Sequence, residues 1–313
     1  MKQSRKSMES LMFSFALSIL LLSSFTLSFD SATDENAILS LKNSITSHPY
    51  AFNWSQNTSV CDLIGVSCGL KHHSVTALNF FGYSLSGTIA PHLGNLTFLR
   101  YLDISSNSFT GSLPFELSTL RRLKVMNVGM NSFTGEIPTW LGSLPQLEEL
   151  YLYSNQLNGS IPHAIFNVSS IGEIRIGNNS LSGLLPSDMC NKILSLAHNQ
   201  LEGRILSNIW KCTHLEVLSL SYNNFSGNIP REIGRLSFHT RLSLGYNNGF
   251  GGGVPREIGN LPRLEILTID GASLTGDFPS SVFNISSLRV LSLSHNSFSG
   301  LSCQIMHKLE IGD

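Results

Sequence analysis

The sequence predicts an α/β solenoid of about ten stacked repeats, most of them 24 residues long, preceded by a helical cap. Three observations carry that prediction. A glycine recurs at positions 87, 111, 135, 159, 183, 203, 227, 251, 276 and 300. Four residues before each glycine stands a ladder position, filled by Asn107, Asn131, Asn155, Asn179, Asn199, Asn223, Asn247 and Asn296, with Tyr83 and Ala272 as substitutes. The residues three and five before the ladder position are apolar in every repeat, from Leu78 and Phe80 to Leu291 and Leu293. That alternation marks a short strand with its apolar side turned inward and the residues between facing out.

Composition excludes other classes. The chain has 313 residues, 42% of them hydrophobic and 13% charged, with a formal net charge of -1. Disorder requires the reverse balance. The 20 basic residues are matched by 21 acidic ones and form no block, so no electrostatic footprint for nucleic acid is present.

From the N-terminus, residues 1–28 read as a secretory signal: Lys2, Arg5 and Lys6 precede an apolar run from Leu11 to Phe29, and Thr26-Leu27-Ser28 offers a small-x-small cleavage site. An uncleaved signal anchor is the alternative. Both place the rest of the chain outside, in the extracellular space or apoplast, with no membrane span in the mature chain. Eight N-x-S/T acceptors agree with that route: Asn53, Asn57, Asn95, Asn158, Asn167, Asn178, Asn224 and Asn284.

Residues 29–74 read as a cap for the exposed end of the solenoid core. Ile38, Leu41 and Ile45 have helical spacing within Asp34 to Ile45, and Trp54 suits the same unit. The run Cys61-Asp62-Leu63-Ile64-Gly65-Val66-Ser67-Cys68 resembles the C-x-W-x-G-V-x-C cap of plant leucine-rich-repeat receptor-like kinases, with Leu63 in place of tryptophan. The resemblance implies a Cys61–Cys68 disulfide. Because five cysteines are an odd count, at least one thiol lacks a partner within the chain. Cys212 stands at the convex apolar position held by Leu96, Leu120 and Leu144 and reads as a buried thiol; a bridge to Cys190 between neighbouring turns is the alternative. Cys303 is read as a cysteine without a partner.

Residues 75–303 hold the repeats. A ladder asparagine can donate and accept at once where the chain turns off each strand. Glycine suits the tight turn that follows, and proline, as at 114, 138 and 162, favours an extended edge. Spacing contracts to 20 between Asn179 and Asn199, where one convex turn is missing, and grows to 25 between Asn247 and Ala272, where Gly249 to Gly253 carries an insertion. The pattern LxxLxLxxNxLxGxIPxxLxxLxxL resembles the plant-type extracellular leucine-rich repeat. The resemblance implies a right-handed horseshoe with a parallel concave sheet and short 3₁₀-like turns on the convex side. After Gly300 the pattern breaks off, and residues 304–313 read as a truncated tail without a cap.

No catalytic constellation appears. Gly249 to Val254 fails the dinucleotide-loop spacing, Asp277-Phe278 is followed by Pro279 and lacks the other kinase segments, and no G-x-S-x-G is present. His72-His73 is read as a solvated pair rather than a metal site. The reading is therefore no enzyme, no metal and no cofactor. Alternation places the residues two, four and six before each ladder position on the open sheet face. Aromatic and charged types concentrate in repeats two to five, giving Tyr101, Asp103, Asn127, Glu149, Tyr151, Tyr153, Glu173 and Arg175 as candidate ligand contacts. Covering a sheet with large polar residues would produce the same list. The resemblance implies a receptor-like recognition module for a peptide, glycan or protein ligand, signalling through a membrane-bound receptor kinase. The alternatives are a secreted inhibitor of cell-wall hydrolases, similar to polygalacturonase-inhibiting proteins, or a degenerate receptor fragment.

Overall fold

The structure, a computed structural model, describes residues 32–47, 58–187 and 189–299. The leader, Asn53, Trp54, Asn57, Gly300, Cys303 and the 304–313 tail lie outside the described residues.

Short parallel strands stack into an eleven-stranded sheet, entered by the antiparallel pair Val66–Cys68 and Val75–Asn79. From Tyr101–Asp103 to Val290–Ser292 each strand pairs with its counterpart in the next repeat at matching positions, as Leu102 with Met126 and Ile174 with Leu194. The apolar pairs fill one continuous core: Leu102, Met126, Val128, Leu150, Leu152, Ile174 and Ile176 are all buried, and only Leu291 of the set is half-buried. Among the described residues, the opposite side of eight of the repeats is a five-residue 3₁₀ turn, such as Phe115–Thr119 or Arg231–Arg235, entered from an extended proline at Pro114 or Pro230. Between Leu184 and Ile193, in the contracted repeat, no such turn is present among the described residues.

The ladder works as hydrogen-bond chemistry requires. The Asn155 amide donates to the carbonyls of Val128, Leu152 and Tyr153 at 3.0 to 3.3 Å and accepts from the Phe133 N–H at 3.0 Å. This ties each turn to the one before and satisfies backbone groups that no strand partner reaches. The residue before each ladder asparagine is held in the left-handed region, with φ of 53° to 57° at Met130, Ser154, Asn178, His198, Tyr222 and Tyr246. That conformation costs a side-chain-bearing residue roughly 1–2 kcal/mol, which the amide bonds offset. In the two repeats without asparagine the left-handed residue before the ladder position is a glycine, Gly82 or Gly271, and the residue after it, Ser84 or Ser273, is left-handed as well.

Three features depart from the sequence reading. The segment around the repeat glycine is a strand as well as a turn: Ser108–Gly111, Gln156–Gly159, Gln200–Gly203 and five equivalents join Ile45–Ser47 in a second, nine-stranded sheet, and Thr275–Asp277 pairs with Ser297–Ser299 in a separate two-stranded one. In the inserted repeat the positive φ falls at Gly252 rather than Gly251, because Phe250, three residues past Asn247, takes the core place that Phe109 holds two past Asn107. The cap helix, residues 32–44, stops before Ile45, which opens the edge strand Ile45–Ser47 against Ser86–Gly87 of the second sheet. The buried Asp34 carboxylate fastens that helix to the first strand by accepting the Val75 N–H at 2.7 Å.

Cysteines close two bridges. Cys61 and Cys68 are joined, with Cα atoms 5.5 Å apart. Cys190 and Cys212 are also joined, Cα to Cα 4.5 Å, so the buried-thiol reading of Cys212 is corrected. The contracted repeat brings Cys190 beside the convex slot that leucine fills elsewhere.

Candidate functional site

The open face of the large sheet holds a depression of about 590 Å³ over repeats three to six. Its lining contains Asn127, Tyr151, Tyr153, Glu173 and Arg175 from the sequence-derived set, together with Ser154, Asn178, Ser195 and His198. Strand register sets the floor: Arg175 pairs laterally with Tyr151, and Glu173 with Glu149. The Tyr151 hydroxyl donates to Glu149 Oε2 at 2.8 Å, Arg175 Nε forms an ion pair with Glu173, and the guanidinium lies 6.0 Å from the Tyr151 ring centre. Burial raises the Tyr151 hydroxyl well above the ordinary phenol range, and the hydrogen bond to Glu149 and the Glu173 charge push the same way. Tyr151 is therefore held as a neutral donor.

Tyr153 owes its place to Gly129. Its ring lies against the glycine so closely that a Cβ there would stand 2.7 Å from Cε1. The absence of a side chain in one repeat thus seats an aromatic from the next.

Tyr101 and Asp103 belong to a different arrangement. Asp103 is 7% exposed and Ser105 fully buried, although alternation alone places both on the open face. Asp103 Oδ1 accepts from the Ser105 N–H and hydroxyl at 2.9 and 2.6 Å, and Oδ2 accepts from the Tyr101 hydroxyl and the Asn127 amide at 3.1 and 3.0 Å. Burial raises the Tyr101 hydroxyl first, and the Asp103 charge adds to it. The network occupies Asp103 internally, so this carboxylate braces the face rather than presenting itself to a ligand. Tyr101 and Asp103 line a separate depression with Asn79, Phe81 and Tyr83 beside the cap.

Sequence reasoning missed Ser154, Asn178 and His198. Each immediately precedes a ladder asparagine, and the left-handed backbone aims it along the sheet edge instead of into the strict alternation. The same row continues as an exposed stack, with the His198 and Tyr222 rings 4.1 Å apart and those of Tyr222 and Tyr246 4.3 Å apart. The signal was available: aromatic residues recur one place before the ladder position at 198, 222 and 246.

Among the described residues no group of three or more His, Cys, Asp or Glu could hold a metal ion, and no helix is long and apolar enough to cross a membrane.

Comparison with known proteins agrees with this architecture. Models for a leucine-rich-repeat N-terminal domain match residues 31–69, and those for the leucine-rich repeat match 97–157, 214–236 and 287–309. The chain is 37% identical over 84 residues to the LRR receptor-like serine/threonine-protein kinase EFR of Arabidopsis thaliana, covering 26% of this chain and 8% of the relative. It is 32% identical over 71 residues to polygalacturonase inhibitor 1 of the same plant, covering 22% of each. Among solved structures, the ectodomain of the Arabidopsis thaliana receptor kinase GASSHO1/SCHENGEN3, in complex with Casparian strip integrity factor 2, superposes with a TM-score of 0.79 at 31% identity, over 86% of this chain and 33% of that one. The Arabidopsis HAESA ectodomain, bound to an IDA peptide hormone ligand, gives 0.68 at 29%, over 72% and 38%. The chain thus spans a small part of the length of the kinases it matches. It is a leucine-rich-repeat protein, homologous to the extracellular domains of plant receptor kinases.

Proposed function

We propose that the chain is a non-enzymatic extracellular recognition module that holds an extended peptide along the open face of its large sheet, with Tyr151, Tyr153 and Arg175 at the centre of contact. One observation carries this reading: the depression gathers two tyrosine rings and a guanidinium, the residue types enriched at binding hot spots, beside a carboxylate. The solved relatives bound to a peptide hormone and to an integrity factor support it. Rows of serine at Ser195, Ser219 and Ser243, paired strand to strand, extend the same face with hydrogen-bonding groups suited to a peptide backbone. Signalling would need a membrane-bound kinase as partner.

The test is calorimetry with synthetic extended peptides on the wild type, Tyr151→Ala and Arg175→Ala. Both changes leave unfolding within about 0.5 kcal/mol, as surface sites do, and weaken binding by about 2 kcal/mol or more. Leu152→Ala, at a fully buried position, does the opposite and destabilises the solenoid by about 2–5 kcal/mol. Unchanged affinity in both surface variants would move the contact away from this depression. The similarity to a polygalacturonase inhibitor supports a second reading, and inhibition of a fungal cell-wall polygalacturonase in the absence of any peptide binding would favour it.

A further inference from the structure

The depression has an N-x-S acceptor on its rim. Asn178-Asn179-Ser180 is one of six such triplets whose asparagine lies in the described residues, and all six asparagines are exposed. Five of them stand away from the depression. Asn95, Asn167 and Asn284 close the 3₁₀ turns Pro91–Asn95, His163–Asn167 and Ser280–Asn284, and Asn158 and Asn224 lie in strands of the second sheet. Asn178 instead shares the lining with Tyr153 and Arg175. Its left-handed backbone, φ 57°, turns the side chain along the sheet edge, where Nδ2 donates to Ser154 Oγ at 3.1 Å.

We propose that Asn178 carries an N-linked glycan that overhangs the depression and controls access to it. This rests on the reading of that face as the binding surface. In the attachment step the Asn178 amide nitrogen forms a C–N bond to the anomeric carbon of a lipid-pyrophosphate-linked oligosaccharide. The sugar–phosphate C–O bond breaks with its electron pair going to the pyrophosphate, and one N–H proton is released. A primary amide carries two N–H groups. The one left after attachment keeps the bond to Ser154, which fixes the first sugar at the rim beside Tyr153. A bulky, hydrated chain held there narrows the entry, so only a ligand thin enough to pass beneath it, or one that contacts the sugar, reaches Arg175.

The test uses the full chain secreted from insect cells, as wild type and as Ser180→Ala, which removes the acceptor triplet but leaves Asn178 and its bond to Ser154 in place. Enzymatic deamidation in ¹⁸O-water with peptide mapping reads occupancy at Asn178. Nitration of Tyr153 and phenylglyoxal modification of Arg175 read access, with no ligand involved, so the outcome is independent of whether a peptide binds. The expected result is a glycan at Asn178 in the wild type and several-fold faster labelling of both residues in Ser180→Ala. Asn178→Gln should match Ser180→Ala. An unoccupied Asn178 in the wild type, or equal labelling rates with and without the glycan, would overturn the proposal.

Discussion

His239 occupies a leucine slot. The residue eight before the ladder position is Leu99, Leu123, Leu147, Ile171, Leu215 or Leu264 in other repeats, all buried, and His239 is itself 0% exposed. Its Nδ1 lies 3.2 Å from the Leu215 carbonyl, which assigns the proton to Nδ1, and Nε2 has no partner. A second proton would place a charge in an apolar interior with nothing to receive the new N–H. Burial accordingly lowers the imidazole pKa from 6.5 to about 4, with the Leu215 bond opposing it only in part. The unfolded chain therefore binds a proton that the folded chain refuses. Stability associated with His239 is fully present above about pH 6.5 and is lost as pH falls towards 4, with no further loss below. At about 1.4 kcal/mol per pH unit that window amounts to ~3 kcal/mol. His239→Leu should remove it. The denaturation midpoint in urea, followed by circular dichroism between pH 7.5 and 4, should fall more steeply for the wild type than for His239→Leu, the gap opening below pH 6.5. Parallel profiles, or a His239 imidazole signal (the one lost in His239→Leu) titrating near 6.5 in the folded protein, would refute the reasoning.

Two further outcomes follow from the same geometry. Gly129→Ala should displace the Tyr153 ring, reduce peptide affinity as Tyr153→Ala does and cost the fold about 1–3 kcal/mol by overpacking; an unchanged Tyr153 environment by NMR would contradict the assigned contact. The bridge between Cys190 and Cys212, which are 22 residues apart, should contribute roughly 3 kcal/mol in the loop-entropy picture. Non-reduced peptide mapping should recover the linked pair, and Cys190→Ala should lower the unfolding midpoint in non-reducing buffer.

The solenoid was legible because its core residues are positional. A period set by glycine and asparagine, with apolar residues at fixed offsets, survives any change in the residues between them. Elements held by backbone bonding across repeats left a fainter trace. In Ser108-Phe109-Thr110-Gly111 a single apolar residue stands between polar ones, too short an alternation to announce the second sheet. Ile45 continued the helical spacing of the cap, yet the chance to pair with Gly87 drew it into a strand. The candidate site was half legible for a related reason. Alternation identified Tyr151, Tyr153, Glu173 and Arg175, but it assumes extended backbone, and the left-handed residue before each ladder asparagine breaks that assumption at Ser154, Asn178 and His198. His239 could have been found by reading the eighth position before the ladder as its own column.

The repeat separates residues that build the fold from residues free to vary, and that division has an exception with consequences for recognition. At Asp103 and Asp270 an open-face position has been taken back into the structure: Asp103 gathers Ser105, Tyr101 and Asn127, and Asp270 Oδ1 accepts from Ser292 and from the Ser294 N–H and hydroxyl. Both carboxylates are nearly buried, so removing their partners strands a charge, whereas the Arg175 side chain is about half exposed. These two networks brace the sheet on either side of the Tyr151 region. If the open face binds a peptide as proposed, changes at the buried acids and changes at Tyr151, Tyr153 and Arg175 should separate into losses of stability and losses of affinity.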